Sequence, residues 1–189
     1  MEKLLLHICC APCAVACVEQ LRQEGVEPTG FWYNPNIHPY MEYRARRDTL
    51  IEYARSIDLA LEIRDHYGLQ EFTKAVAQQP QNRCTYCYTV RLAETARYAR
   101  DHGFTAIATT LTVSPYQNRE LIFAIGEQVA KQYGVAFLPY DFSPRYREGQ
   151  AKAREKELYM QKYCGCIYSE EDRYQQKIQK DQKRFGKES

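Results

Sequence analysis

Short apolar runs alternate with longer amphipathic stretches along most of this chain, and that alternation leaves few folds open. Lys3 to Ile8 is apolar without polar alternation, the pattern of a strand buried on both faces. Pro12 suits the first turn of a helix; Val15, Val18 and Leu21 then recur at helical spacing as far as Gly25. Thr29 to Tyr33 reads as a second strand, closed by the loop signal Asn34-Pro35-Asn36. A charged helix from Tyr40 to about Ile57, a strand from Leu59 to Arg64 and a short helix from Leu69 to Gln78 follow. Next come a helix from Cys84 to His102, a strand from Thr105 to Thr110, a helix from Tyr116 to Tyr133 and a strand from Val135 to Leu138. Gln150 to Ser189 reads as a charged helical tail.

Strands joined through helices run parallel. The expected fold is therefore α/β: a doubly wound, mainly parallel five-stranded sheet with a helical C-terminal extension. The expected division is 1–148 for the α/β domain and 149–189 for the extension. Ligand sites in such sheets lie beyond the carboxyl ends of the strands. That rim would gather Cys9-Cys10, Tyr33-Asn34-Pro35, Asp65-His66-Tyr67, the segment from Leu111 to Gln117, and Tyr140-Asp141-Phe142.

Composition narrows the setting more than the function. The 26 basic and 24 acidic residues nearly cancel, so net charge makes no case for a nucleic-acid partner. The 16 tyrosines offer flat stacking faces with polar tips. No run approaches the ~20 apolar residues of a membrane span, and Leu4-Leu5-Leu6 is too short for a secretory signal. The expected location is the cytoplasm, away from membranes. Thiols stay reduced there, and clustered cysteines serve as metal ligands or catalysts.

The 8 cysteines fall in three places: Cys9-Cys10-Ala11-Pro12-Cys13 with Cys17, Cys84-Thr85-Tyr86-Cys87, and Cys164-Gly165-Cys166. A Cys-x-x-Cys pair opening a helix presents two thiols whose anionic forms the helix N-terminus favours. Side chains of adjacent residues in extended backbone diverge, so Cys9 and Cys10 are expected to suit two irons of a cluster better than one tetrahedral ion. Cys9, Cys10, Cys84 and Cys87 match the ligand count of a 4Fe–4S cluster. On the residues alone three readings stay open: an iron–sulfur cluster, a four-cysteine zinc site, and plain buried thiols. Cys10-Ala11-Pro12-Cys13 mimics a thioredoxin-type dithiol, though such a dithiol needs neither Cys9 nor the second pair. Cys17, one helical turn after Cys13, reads as a small buried residue. Cys164 and Cys166 are either a strained, reducible disulfide or two unrelated thiols.

Five segments in order then carry a resemblance: His7-Ile8-Cys9-Cys10-Ala11-Pro12-Cys13, Tyr33-Asn34-Pro35-Asn36-Ile37-His38-Pro39, Arg83-Cys84-x-x-Cys87-Tyr88-x-x-Arg91-Leu92, Thr109-Thr110-Leu111-x-x-Ser114-Pro115-Tyr116, and Tyr163-Cys164-Gly165-Cys166. Together, up to about Arg173, they resemble the cobalamin-independent epoxyqueuosine reductases, the QueH family. The resemblance implies an oxidoreductase that removes the epoxide oxygen of epoxyqueuosine in tRNA. The product is queuosine at the wobble position of tRNAs with a GUN anticodon (Asp, Asn, His and Tyr type), the last step of queuosine biosynthesis. It implies a 4Fe–4S cluster on Cys9, Cys10, Cys84 and Cys87, and one additional iron beside it, with Cys13 as its candidate ligand. It further implies a redox-active disulfide at Cys164 and Cys166, an external electron donor, and an adenine-nucleotide α-hydrolase-like sheet. No glycine-rich phosphate loop follows the first strand, so use of ATP is not expected.

Substrate contacts are expected from the rim. Unpaired RNA bases are read by stacking on aromatic side chains and by polar groups at their edges. Tyr33, Asn34, Tyr88, Arg91, Ser114 and Tyr116 are the candidates here, with Tyr86 as a further aromatic. Arg44, Arg46, Arg47, Arg145, Arg147, Lys152 and Arg154 are either phosphate contacts or solvated helix faces. Lys177, Lys180, Lys183 and Arg184 of the tail carry the same two readings. His38 is a candidate proton donor on a rim loop or a loop-fixing hydrogen bond, and His7 packs or bonds beside the cysteines. Two other classes compete: an iron–sulfur desulfurase or sulfur transferase acting on a thiolated base, and a zinc-stabilised RNA-binding module.

Overall fold

The computed structural model of the chain describes residues 3–186. The five strands are β1 (Leu4–His7), β2 (Thr29–Trp32), β3 (Leu61–Ile63), β4 (Ala106–Thr109) and β5 (Ala136–Phe137). They form one sheet in the order β3-β2-β1-β4-β5, every pairing parallel. β1 is central and entirely buried. Its register sets Leu6 between Gly30 and Ala108, and His7 between Phe31 and Thr109. Gly30 is required by close packing: a Cβ there would stand 2.9 Å from Ile8 Cδ1 and 3.0 Å from Leu61 Cδ1.

Alternation along β1 splits the apolar interior in two. Leu4, Leu6 and Ile8 join Trp32, Val15, Val18 and Leu50 on one face; Leu5 joins Phe31, Ile107, Leu92 and Ile122 on the other. Helices α1 (Ala11–Gln23), α2 (Tyr40–Ser56) and α6 (Tyr146–Glu155) supply the first layer. Helices α4 (Arg83–Asp101) and α5 (Arg119–Tyr133) supply the second. The short α3 (Leu69–Val76) and the long α7 (Ile167–Phe185) complete the α-helices of the described residues. The polypeptide crosses to the far side of the sheet between β3 and β4. The switch point therefore lies between β1 and β4, above whose ends Cys9 and Thr110 meet.

The expected elements are all present, with two boundary corrections. α5 begins at Arg119, not Tyr116, because the Asn118 side chain accepts a hydrogen bond from Leu121 N at 3.0 Å and caps the helix there. The tail is not one helix. Glu157 takes a positive φ of 55°, Leu158 N folds back onto Ala153 O, and α6 stops. The chain then runs without helix to Cys166, where α7 begins. The expected domain division after 148 falls inside α6, which lies so close to α1 that a Cβ on Gly149 would stand 3.0 Å from Ala16 Cβ. The expected helical reading of 187–189 lies outside the described residues. No described helix is long and apolar enough to cross a membrane.

Candidate metal centre at the sheet rim

Cys10 is the last extended residue before α1, with φ −170° and ψ 161°, and Pro12 sits in the first helical turn. The main chain bends one residue earlier, at Cys9, and the bend decides where the thiols point. The sulfurs of Cys9, Cys10 and Cys13 lie within 4.8 Å of one another, with Cys9 Sγ and Cys10 Sγ 3.8 Å apart. The expected divergence of Cys9 and Cys10 is overturned: β1 ends at His7 and the main chain bends at Cys9, so alternation along a strand does not apply. Nor does the spacing speak against a single ion, because a tetrahedral site with ~2.3 Å metal–sulfur bonds has sulfur–sulfur edges of about 3.8 Å.

The three thiols are electrostatically unequal. Hydrogen bonds from Cys10 and Cys13 hold the Cys9 thiol well below the usual range, helped by the Thr110 hydroxyl. Burial pushes Cys10 up. Cys13 is pushed up by its hydrogen bonds to Cys10 and Cys9 and then by burial. The trio thus favours one sulfur anion, at Cys9, stabilised by two neighbouring S–H groups. Beneath it, His7 is fully buried. Its Nε2–H donates to Tyr33 O at 3.3 Å and Asn34 Oδ1 at 3.2 Å, and Nδ1 accepts from the Thr109 hydroxyl at 2.9 Å. Burial, then the Arg91 charge, lowers the His7 pKa to about 4, so the ring is a neutral strut.

The second thiol set opens α4. Cys84 is exposed and Cys87 buried; the sulfurs of both lie outside the close trio. One turn on, Arg91 is 2% exposed. Its Nη2 donates to Cys87 Sγ at 2.9 Å and its Nε to Cys87 O at 3.2 Å. Burial pushes Cys87 up to about 12 against the pull of this guanidinium. The same positive charge acts on Cys9 and Cys164, so Arg91 couples electrostatically to all three cysteine groups.

Cys164-Gly165-Cys166 crosses the rim as a strap ahead of α7. All the cysteines are free thiols, so the expected disulfide is not formed. Cys164 is exposed and receives Gln117 Nε2–H at 3.1 Å. Gln117 Oε1 in turn accepts from Tyr88 Oη at 2.6 Å. Cys166 is buried against Phe72, Val76 and Cys87. The strap is fastened mostly by side chains. Arg46 donates to Cys164 O at 2.7 Å and Tyr163 O at 2.9 Å, and pairs with Glu42 at 2.7 Å. His38 N donates to Gly165 O at 2.8 Å.

A family model described as epoxyqueuosine reductase QueH matches residues 4–172. The chain belongs to the QueH family. The epoxyqueuosine reductase QueH of Dehalococcoides mccartyi is 36% identical over 172 residues, 91% of this chain and 94% of that protein. The Thermotoga maritima QueH is 34% identical over 179 residues, 89% of this chain and 91% of that one. Among solved structures, the U34-tRNA thiolase NcsA from Methanococcus maripaludis superposes with a TM-score of 0.59 at 13% identity, covering 97% of this chain and 67% of that one. A predicted subunit of a tRNA methyltransferase from Methanocaldococcus jannaschii gives 0.54 at 12%, covering 80% and 76%. These likenesses establish the fold, an α/β arrangement on a parallel sheet.

In this QueH chain several expected contacts turn inward. Asn34 is fully buried, and its Nδ2 donates to Ile8 O at 2.9 Å. Arg91 and Tyr88 are each 2% exposed, so neither offers a surface to a base. His38 is buried, its Nε2–H on Pro35 O at 3.1 Å and its Nδ1 accepting from Ile167 N at 3.3 Å. Burial lowers its pKa to about 4. With both nitrogens on backbone, its place is that of the loop-fixing hydrogen bond rather than of an exposed proton donor. Arg46 lies under the strap, not on a phosphate-facing surface. Arg44, Arg47, Arg145 and Lys152 engage carboxylates, while Lys177, Lys180, Lys183 and Arg184 lie exposed on α7.

Tyr116 remains open at the rim, 83% exposed, with Ser114 half-buried beside it. Tyr33, His66, Tyr86, Phe72 and Cys87 line a cavity of about 190 Å³. Sequence reasoning missed Gln117 and Gln161. Gln117 lay in a segment already assigned to the rim, but nothing marked its side chain. Gln161 donates from Nε2 to Cys10 Sγ at 3.1 Å, and its Oε1 is buried without a partner. It comes from a stretch that read as solvated helix and carried no signal.

Proposed function

We propose that this chain is a cobalamin-independent epoxyqueuosine reductase acting on tRNA through an iron–sulfur centre at the sheet rim. One observation carries the reading beyond family membership: a buried guanidinium, Arg91, donates to Cys87 Sγ at the start of α4, and its charge also acts on Cys9 at the start of α1 and on Cys164 of the strap. The donor set fits a thiophilic centre, because soft sulfurs dominate it and a buried amide oxygen, Gln161 Oε1, is left unpartnered beside Cys10. Cys9, Cys10, Cys84 and Cys87 would hold the 4Fe–4S cluster, and Cys13 an adjacent iron. When bound, such a cluster supplies electrons one at a time.

Removing an epoxide oxygen as water and leaving an alkene takes two electrons and two protons. Two thiols closing to a disulfide release two electrons and two protons. Cys164 and Cys166 therefore match the stoichiometry, with an external reductant reopening the bridge. Cys164 is the exposed member that such a reductant reaches first. Tyr116 and Tyr33 provide stacking faces for the wobble base of a GUN-anticodon tRNA. His7 and Asn34 brace the loops that carry these groups and keep their own nitrogens off the substrate.

The test is anaerobic purification followed by metal analysis and turnover on tRNA bearing epoxyqueuosine. The expected protein absorbs near 400 nm, holds roughly four irons or one more per chain, and converts the epoxide. Colourless protein containing zinc would overturn the cofactor assignment. Turnover of a thiolated tRNA base with none of epoxyqueuosine would instead establish the sulfur-transfer reading.

A further inference from the structure

Two arginines of this chain are equally buried, and they are neutralised differently. Arg46 and Arg91 are each 2% exposed. Arg46 has Glu42 at 2.7 Å. For Arg91, no carboxylate forms an ion pair among the described residues, and the groups whose charge acts on it most are Cys87, Cys164, Cys9 and Tyr88. Its guanidinium donates to Cys87 Sγ and lies 5.9 Å from the centroid of the Tyr88 ring. A buried cation without an anion is strongly unfavourable. The negative charge this neighbourhood can offer is sulfur: Cys9, whose thiol is held low, and Cys87 once a bound metal has displaced its proton.

We propose that Arg91 is the fixed counter-charge of the metal centre and raises its reduction potential. The inference rests on the iron–sulfur reading given above. A thiolate-held cluster is anionic, and one-electron reduction adds a further negative charge. A permanent positive charge with an N–H aimed at a ligand sulfur stabilises the reduced form more than the oxidised one, and net charge and hydrogen bonds to sulfur are among the factors that set such potentials. Arg91 is a positioning residue in this role: it touches Cys87, while its burial keeps it from the tRNA. The guanidinium also serves where lysine would not fully substitute, because it bonds the Cys87 sulfur and carbonyl at once.

Arg91→Gln and Arg91→Lys are to be compared with the parent protein, each as anaerobically loaded full chain, by iron content and by redox titration followed spectroscopically. With iron content preserved, the Gln variant should show at least a tenfold lower reduced-to-oxidised ratio at a given potential, about 59 mV for a one-electron couple. The Lys variant should recover most of that shift. Loss of the cluster in the Gln variant alone, with retention in the Lys variant, equally supports a charge role. A Gln variant with parental iron and an unmoved midpoint would overturn the inference. So would Gln and Lys variants that shift alike, or that lose iron alike, because shape rather than charge would then matter. A zinc-loaded parent protein would overturn the cofactor reading as well, which separates the two failures.

Discussion

Cys9, Cys10 and Cys13 are held by main chain, whereas the strap with Cys164 and Cys166 is held mostly by other residues' side chains. The first group sits where the central strand becomes α1: Ile8 N still bonds Phe31 O, and Ala14 N already bonds Cys10 O. Those sulfurs cannot change spacing without undoing the middle of the sheet. The second group lies in a segment with neither strand nor helix, fastened by Arg46, His38 and Gln117. Releasing those side-chain bonds leaves it tied by the main-chain bond from His38 N to Gly165 O and by its junction with α7. The difference suits the two kinds of chemistry proposed here. A metal centre needs fixed donors, while a thiol pair that must close and reopen needs a segment able to move.

The sharpest separation comes from serine replacements. Cys10→Ser should abolish iron loading and turnover together. Cys164→Ser should keep full iron, yet lose multiple turnover. Iron analysis beside a turnover assay checks both, and iron loss in the Cys164→Ser protein would show that the strap belongs to the metal site.

Arg46→Met comes next in size. It leaves Glu42, whose side chain is 10% exposed, without its cation, and two strap carbonyls without donors. Breaking a buried pair in this way costs about 3 kcal/mol. Chemical denaturation should report that loss, and alkylation of Cys164 and Cys166 should speed up with iron content unchanged. Unchanged alkylation would mean that the strap is held elsewhere.

This contrast also separates what the sequence made legible from what it hid. Strand and helix order followed from apolar runs punctuated by Pro12, Gly25, Pro35 and Gly134. Each is a local backbone preference that the sheet did not override. The cysteines' placement at strand and helix ends followed from the same reading. What was hidden depended on tertiary cover. Arg44, Arg46 and Arg47 read alike as a charged helix face, and only the returning strap buries the middle one. The end of α6 rests on Glu157 at positive φ, where a glycine would have announced the turn. The convergence of Cys9 and Cys10 rests on a bend at a single residue, Cys9.

Acid should loosen the strap through His38. Its pKa falls from 6.5 to about 4 because burial disfavours the charged ring. Above pH 6.5 both folded and unfolded chains carry it neutral, and stability is unaffected. Between 6.5 and 4 the unfolded chain takes the proton first, so stability falls, by about 3 kcal/mol once pH is below 4. His7 titrates in the same window with the same sign, so His38 is isolated by comparison with His38→Asn. The stability advantage of the parent over that variant should shrink as pH drops from 7 to 4. A constant difference across that range would remove His38 as the strap's acid-sensitive fastening.

The smallest effect belongs to Gln117. Its amide ties the exposed Cys164 sulfur to the buried Tyr88 hydroxyl. Gln117→Ala removes one neutral hydrogen bond at each end, but Tyr88 Oη still accepts from Asn118 N at 3.3 Å. A single such bond contributes about 1 kcal/mol, a bias of roughly fivefold. Alkylation of Cys164 should therefore rise by about that factor, less than in Arg46→Met, with Cys166 and the iron content unaffected. The ordering matters more than the size. If Gln117→Ala opened the strap as far as Arg46→Met does, the segment would be a single cooperative unit clipped at its tip. If it instead reduced iron loading, Tyr88 and Gln117 would tie the strap to the α4 thiols, and the two regions would share one site.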